Sequence, residues 1–360
     1  MKNPPAGYGR EGNTAMLRRA EENPLIRTEN IAASGEGLRV VGTFNAGAAS
    51  LGDETVLLLR VAEEAVPGAG AAACPVFDEK RGRIVAARFD EKQVSREGDP
   101  RSFRVGGKQF LTSMSHFHVA RSRDGIHFTP DPEPFMLPAN RYEEFGIEDA
   151  RITKLEGRYY ITYTAASRLG CVVALAVTDD FVSARRLGVL FPPDNKDTVY
   201  FDRKIGGKYY VLHRPSASVF ARPEMWLAES PDGRCFGNHR FVAGVRPGMW
   251  DSDRIGAGAP PFLTERGWVE IYHGVSGSGR YCMGAMLLDA EKPWRVLARS
   301  EKPLLEPEYP YEKTGFFGNV VFGCGAVRRG DVVRLYYGAA DSSVAEASMT
   351  VGDIYANLNL

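Results

Sequence analysis

Apolar and polar residues alternate with a period of two over much of this chain, in short runs broken by glycine turns, so the pattern predicts strands. The clearest unit is a strand, a glycine turn and an apolar strand. It runs from Ile152 to Tyr163 across Gly157, from Phe201 to His213 across Gly206-Gly207, and from Phe262 to His273 across Gly267. Looser copies run from Phe44 to Arg60 across Gly52-Asp53 and from Phe322 to Tyr337 across Gly330-Asp331. Each reads as a β-hairpin. A second phrase recurs between the hairpins, apolar residues followed by an aspartate and an aromatic ring, with its aspartates Asp124, Asp179, Asp232 and Asp289 about 55 residues apart. A period of that size suits a four-stranded unit. Five hairpins with five followers, the last being Met349 to Leu358, therefore predict an all-β fold, a five-bladed β-propeller, with a β-sandwich of similar hairpins as the alternative.

Two regions fall outside this pattern. Residues 1–35 form an N-terminal extension before the propeller domain of residues 36–360, and Asn13 to Glu22 predicts a short helix capped at Asn13 or Thr14. Residues 64–110, rich in glycine, alanine and charge, read as an insertion within the first blade.

Composition narrows the function classes. The 45 basic and 45 acidic side chains cancel, so no general attraction to nucleic acid or an anionic membrane is expected, and any basic site must be local. Cys74, Cys171, Cys235, Cys282 and Cys324 are far apart without a CxxC pair, which predicts buried thiols rather than a zinc site or a secreted disulfide framework. The N-terminus has no apolar leader segment and no long apolar run follows, so a cytoplasmic protein is expected. His116 and His118 alternate onto one strand face without a third ligand, and no metal is expected.

The candidate chemistry lies where polar residues break the strand pattern near the hairpin starts: Asn45 with Arg60, Glu148-Asp149-Ala150-Arg151, Lys196-Asp197, His213-Arg214, Asp251 and Asp341. Asp149 and Arg151 stand two apart and are expected to share a strand face. An aspartate beside a cation stays ionised, which favours binding, whereas burial under a sugar ring would raise its pKa toward general-acid use. Arg168, Lys196, His213 and Arg214 form a second group, basic donors set in apolar strand sequence, suited to a small dianion such as phosphate.

The segments Gly146-Ile-Glu-Asp-Ala-Arg-Ile-Thr-Lys154, Leu212-His-Arg-Pro-Ser216, Trp250-Asp-Ser252, Ile271-Tyr-His-Gly-Val275 and Tyr337-Gly-Ala-Ala-Asp341 resemble glycoside hydrolase family 130, which contains the β-mannoside phosphorylases. The resemblance runs from about Asn45 to Asp341. It implies a five-bladed propeller enzyme that cleaves a β-mannosidic bond with inorganic phosphate, inverting the anomeric centre to release α-mannose 1-phosphate, reversibly and with no cofactor. It implies Asp149 as the general acid, acting through a hydroxyl of the mannose ring. Arg168, Lys196, His213 and Arg214 would hold phosphate, and Asn45, Arg60, Glu148, Arg151, Asp251, Tyr272 and Asp341 would bind the sugar. Ala150 departs from the family's Glu-Asp-Pro-Arg motif, which removes a fixed φ but neither flanking side chain.

The chemistry agrees with that division. Inverting hydrolysis needs a second carboxylate as base for water, whereas phosphate is already an anionic nucleophile that cations need only position. A family hydrolase acting with water and a glycan-binding propeller without turnover are the competing readings. The resemblance also favours a homo-oligomer. The linkage and acceptor sugar are not written in the sequence, although the loops within residues 64–110 and Asp131 to Glu144 are expected to shape the acceptor side.

Overall fold

A computed structural model describes residues 17–96, 98–216 and 219–360. Among these residues the fold is almost wholly β-sheet, the α-helices being Pro310–Lys313 and Val351–Asn357. No described helix is long and apolar enough to cross a membrane. All five expected hairpins form. They are Leu38–Leu51 with Glu54–Ala65, Gly146–Leu155 with Arg158–Ser167, Asn195–Tyr200 with Tyr209–Pro215, Phe262–Thr264 with Gly267–Val275, and Val321–Arg329 with Val332–Ala339.

The expected five-bladed propeller is not what the hydrogen bonding builds. The strands fall into open sheets of four, eight, four, five, two and three strands, and none closes on itself. The departure from equal blades has a local cause. Ser113–Ser122 pairs antiparallel with Glu54–Ala65 and also meets Gly146 in parallel across Ser115, which fuses the first two hairpins into one eight-stranded sheet. Only glycine permits that junction: at Gly146, with φ +114°, a Cβ would lie 2.8 Å from both the nitrogen and the oxygen of Ser115.

The recurrent aspartates are turn residues. Oδ1 of Asp124 accepts from the amides of Ile126 and His127, that of Asp232 from Arg234 and Cys235, and that of Asp289 from Glu291 and Lys292. In the second copy Asp180 does this work, accepting from Val182, while Asp179 pairs with Arg158. An Asx turn fixes each loop, so the repeat reports architecture rather than chemistry.

The chain ends also differ from expectation. The helix caps Asn13 and Thr14 lie outside the described residues, and Arg18–Arg19 is a strand on the edge of Ser343–Thr350. Arg19 there donates to the fully buried Glu312 at 2.7 Å. The last follower is Ser343–Thr350, and the chain after it turns helical because Thr350 and Asp353 form a reciprocal cap. Residues 64–110 do form a separate piece, a hairpin of Ala71–Asp78 with Arg83–Asp90 and a three-stranded sheet, packed around Cys74 and Phe103. None of the cysteines is in a disulfide; Cys74, Cys282 and Cys324 are buried, Cys171 partly so, and Cys235 is exposed.

Candidate active site

Three hairpins break their strand alternation at the same place. Phe44 pairs with Arg60 and Gly47 with Leu58; Glu148 with Thr164 and Arg151 with Thr162; Lys196 with Arg214 and Val199 with Leu212. Each is a bulge of two residues against one. The first bulged residue is Asn45, Asp149 or Asp197, with φ of +48°, +53° and +54°. Asn and Asp are the residues besides glycine that most readily take this left-handed conformation. The same backbone requirement thus turns a short polar side chain out of the pleat in each hairpin.

Around Asp149 these side chains meet. Asp149 Oδ1 accepts from Asn45 Nδ2 and from Arg60 Nη1, both at 2.9 Å, and among the described residues no group bonds Oδ2. Arg60 Nη2 also lies 3.1 Å from Glu148, whose other oxygen is 3.4 Å from Lys196 Nζ. Burial pushes both carboxyls up, but Arg60 with Arg151 at Asp149, and Arg60 with Lys196 at Glu148, hold them below the ordinary carboxylate range. Asn45 is fixed by Gly338, where any Cβ would collide with its Oδ1. Asp341 follows three residues after Gly338 with φ +50°. Burial pushes its carboxyl up to about 7 against the pull of Arg60, with Asp149 and Glu148 adding to the rise.

A second layer lies beneath. Asp197 is held by Arg151 at 3.1 Å, Arg214 at 3.0 Å and His273 at 3.4 Å. Burial would raise its carboxyl, yet Arg214 and Arg151 keep it strongly ionised. Arg214 Nε is buried without a hydrogen-bond partner among the described residues, a donor whose desolvation is left uncompensated. The balance of the two layers leaves a surplus of positive charge once Asp341 is protonated: Arg60, Arg151, Lys196 and Arg214 stand against Glu148, Asp149 and Asp197.

The structure brings Asn45, Arg60, Glu148, Asp149, Arg151, Lys196, Arg214 and Asp341 into this region and engages the other expected residues elsewhere. Arg151 donates to the backbone carbonyl of Asp149 rather than to its carboxylate. It is 1% exposed, and its donors go to the carbonyls of Asp149 and Ala257 and to Asp197, so it ties strands together. His213 is stacked on Phe191, bonded to Asn195 and His239, and pushed down to about 3 by burial, so it stays neutral and faces away from Arg214. Arg168 is exposed and forked onto Glu144. Asp251 is fully buried among Arg246, Arg299 and Tyr272, which makes Asp251 and Tyr272 part of a structural knot. His116 is buried against Glu63 beside His118, and no metal-ligating group of three occurs among the described residues.

Two neighbours escaped the sequence reading. His273 packs on Phe322 and stays neutral, because burial pushes it down to about 3. Its signal was the register that sets it opposite Gly256. Arg101 of the inserted region lies near enough to feel the charge of Glu148. Nothing in its local sequence marked it.

Comparison with known proteins points one way. The model of glycoside hydrolase family 130, described as β-1,4-mannooligosaccharide phosphorylase, matches residues 107–359. A β-1,2-mannobiose phosphorylase from Listeria innocua is 45% identical over 351 residues, 96% of this chain and 99% of that protein. A 1,2-β-oligomannan phosphorylase from a Thermoanaerobacter species is 38% identical, covering 67% of this chain and 80% of its own length. The structure of the Listeria innocua enzyme in complex with β-1,2-mannobiose superposes with a TM-score of 0.89 at 44% identity, over 95% of this chain and 99% of that one.

Proposed function

Because this chain belongs to glycoside hydrolase family 130, we propose that its substrate is a short β-1,2-linked mannoside, which it cleaves, as an inverting phosphorylase, with inorganic phosphate to give α-mannose 1-phosphate. The linkage is that named for its 45%-identical relative.

Asp149 is the general acid of this reading. Its Oδ1 is engaged by Asn45 and Arg60, so the proton belongs on Oδ2, the oxygen left for the sugar. In the free enzyme the carboxyl is ionised. Covering it with a mannose ring removes water, and phosphate drawn to Lys196 and Arg214 cancels the cationic field that depresses it; both raise its proton affinity. Phosphate oxygen then forms the bond to the anomeric carbon as the glycosidic C–O bond breaks. The bond's electron pair leaves on the glycosidic oxygen, which takes the Asp149 proton, directly or through a ring hydroxyl. No base is required, since the nucleophile is already anionic.

Asn45, Arg60, Glu148 and Asp341 surround the mannose, and Lys196 and Arg214 hold phosphate, joined by Arg168 when it leaves Glu144. The observation that carries this assignment is the pairing of a carboxylate with one free oxygen, Asp149, and a buried arginine donor without a partner, Arg214 Nε. The proposal takes residues 36–360 as the catalytic unit and extends to a cytoplasmic homo-oligomer. The five unbridged cysteines support a reducing compartment, and light scattering tests the assembly.

Incubating the protein with β-1,2-mannobiose, with and without phosphate, and resolving the anomers by NMR tests the reaction. Mannose and α-mannose 1-phosphate are expected only with phosphate. Free mannose at equal rates in both would make the enzyme a hydrolase, and no turnover of any β-mannoside would leave a glycan-binding protein.

A further inference from the structure

Lys196 and Arg214 stand directly opposite each other on the paired strands Asn195–Tyr200 and Tyr209–Pro215. Like charges in that position repel and weaken a sheet. The effect is stronger here because Arg214 is buried and Lys196 half-buried. Each cation has its own carboxylate. Glu148 lies 3.4 Å from Lys196 Nζ, and Asp197, in the bulge that follows Lys196, lies 3.0 Å from Arg214 Nη1. Glu148 also pairs with Arg60 on the sugar side. Asp197 is 3% exposed with the site open, so it reaches neither substrate and acts only through its neighbours.

Those neighbours leave the carboxylate a single position. Oδ1 accepts from Arg151 Nη2 at 3.1 Å, while Oδ2 meets Arg214 Nη1 and, at 3.4 Å, Nε2 of His273. On the remaining side, a Cβ at Gly256 would stand 2.4 Å from Oδ2 and 2.6 Å from the His273 ring. That ring is itself packed on Phe322 and Tyr281. Arg214 is thus held through one terminal nitrogen, its Nε lacks a hydrogen bond, and it makes no second ion pair among the described residues. A guanidinium carries five N–H donors in a fixed fork, so pinning Nη1 sets the direction of all the others.

We propose that Asp197 is the positioning residue for the nucleophile: it holds Arg214 against the repulsion of Lys196, in the orientation that leaves the free donors of Arg214 to phosphate. The inference rests on the phosphorylase reading and deepens it. The two effects of Asp197 on phosphate have opposite signs. As an anion near a dianion it repels phosphate through space, and by field alone its neutralisation would tighten binding. As the anchor of Arg214 it preorganises a charge-assisted contact, and its neutralisation lets the guanidinium turn away. The second effect is the larger, because Arg151 already compensates the charge of Asp197 through Oδ1, whereas nothing else among the described residues holds Arg214 by charge.

Initial rates of β-1,2-mannobiose cleavage, with mannobiose and inorganic phosphate both varied, provide the test. Absence of phosphate-dependent cleavage by the wild-type enzyme would overturn the phosphorylase reading and this one together. Asp197→Asn keeps an oxygen for Arg151 and suits a φ of +54°, as Asn45 does at +48°. It is expected to raise the phosphate KM about tenfold, the loss of one charge-assisted contact, and to move the mannobiose KM less than about twofold. Gly256→Ala keeps every charge but drives a methyl group against Oδ2; it should also raise the phosphate KM, and it carries the test where Asp197→Asn does not fold. Isothermal titration with inorganic phosphate alone reads the same loss without turnover. A phosphate KM that stays or falls, or an equal rise in both constants, would overturn the assignment while leaving the phosphorylase intact.

Discussion

Replacing Asp149 by Asn separates proton delivery from everything else this residue does. The backbone accepts the change, because φ +53° suits Asn as well as Asp, and Asn45 already occupies the equivalent bulge at +48°. The amide oxygen can replace Oδ1 in accepting from Asn45 and Arg60, and Arg60 keeps Glu148 as its counter-ion at 3.1 Å. What disappears is the acidic proton on the oxygen facing the sugar. General-acid catalysis is worth about 10²- to 10⁴-fold, so phosphorolysis of β-1,2-mannobiose at saturating phosphate should slow by that factor, about 3–5 kcal/mol in the barrier. A dinitrophenyl β-mannoside provides the control, since its leaving group departs without a proton. On that substrate the deficit should shrink to less than about tenfold. A variant within about tenfold of wild type on mannobiose, or equally impaired on both substrates, would refute the assignment. Asp341, with its carboxyl pushed up to about 7, would then be the first alternative acid.

Four further outcomes are expected. Arg214→Ala should raise the phosphate KM more than the mannobiose KM, because it deletes the unpartnered Nε, and steady-state kinetics with both substrates varied reads the split. Glu144→Gln should lower the phosphate KM by up to about fivefold, since it frees Arg168 from an exposed ion pair of modest strength; an unchanged value would remove Arg168 from the phosphate group. Asp251→Ala leaves Arg246 and Arg299 without their buried partner and should cost about 3–5 kcal/mol of stability, read by thermal denaturation. Asp341 has a folded pKa above its unfolded value, so the folded state binds the extra proton and stability falls as pH rises from about 4 to about 7. Asp341→Asn should flatten that decline in denaturant titrations across the same window.

The hairpins were legible because period-two alternation and glycine turns are local signals, and Gly157, Gly206-Gly207 and Gly330 sit at turns as expected. The sheet arrangement was not, because the pairing of Gly146 with Ser115 depends on a contact across an insertion that alternation cannot encode. In the site, Glu148-Asp149 and Lys196 stood out as charges interrupting strands. The misplacements have equally physical origins. Arg151 is taken up by the Asp149 carbonyl and Asp197, and His213 and Arg214, as consecutive strand residues, face opposite sides of their sheet, a consequence that grouping them as neighbouring basic residues passes over. Asp251 looked like a pocket residue because sequence does not show Arg246 and Arg299 converging on it.

The three matched bulges also bear on how such a protein changes its chemistry. Because Asn45, Asp149 and Asp197 occupy one backbone geometry repeated in three hairpins, the scaffold offers three equivalent sockets whose left-handed conformation favours glycine, asparagine or aspartate. An amide that orients, a carboxylate that reacts and a carboxylate that anchors arginines differ there by one functional group and no rerouting of the chain. Moving a proton donor from one hairpin to the next is then a matter of single substitutions, which makes these bulges the natural place for selection, or a designer, to alter the reaction while the sheets stay as they are.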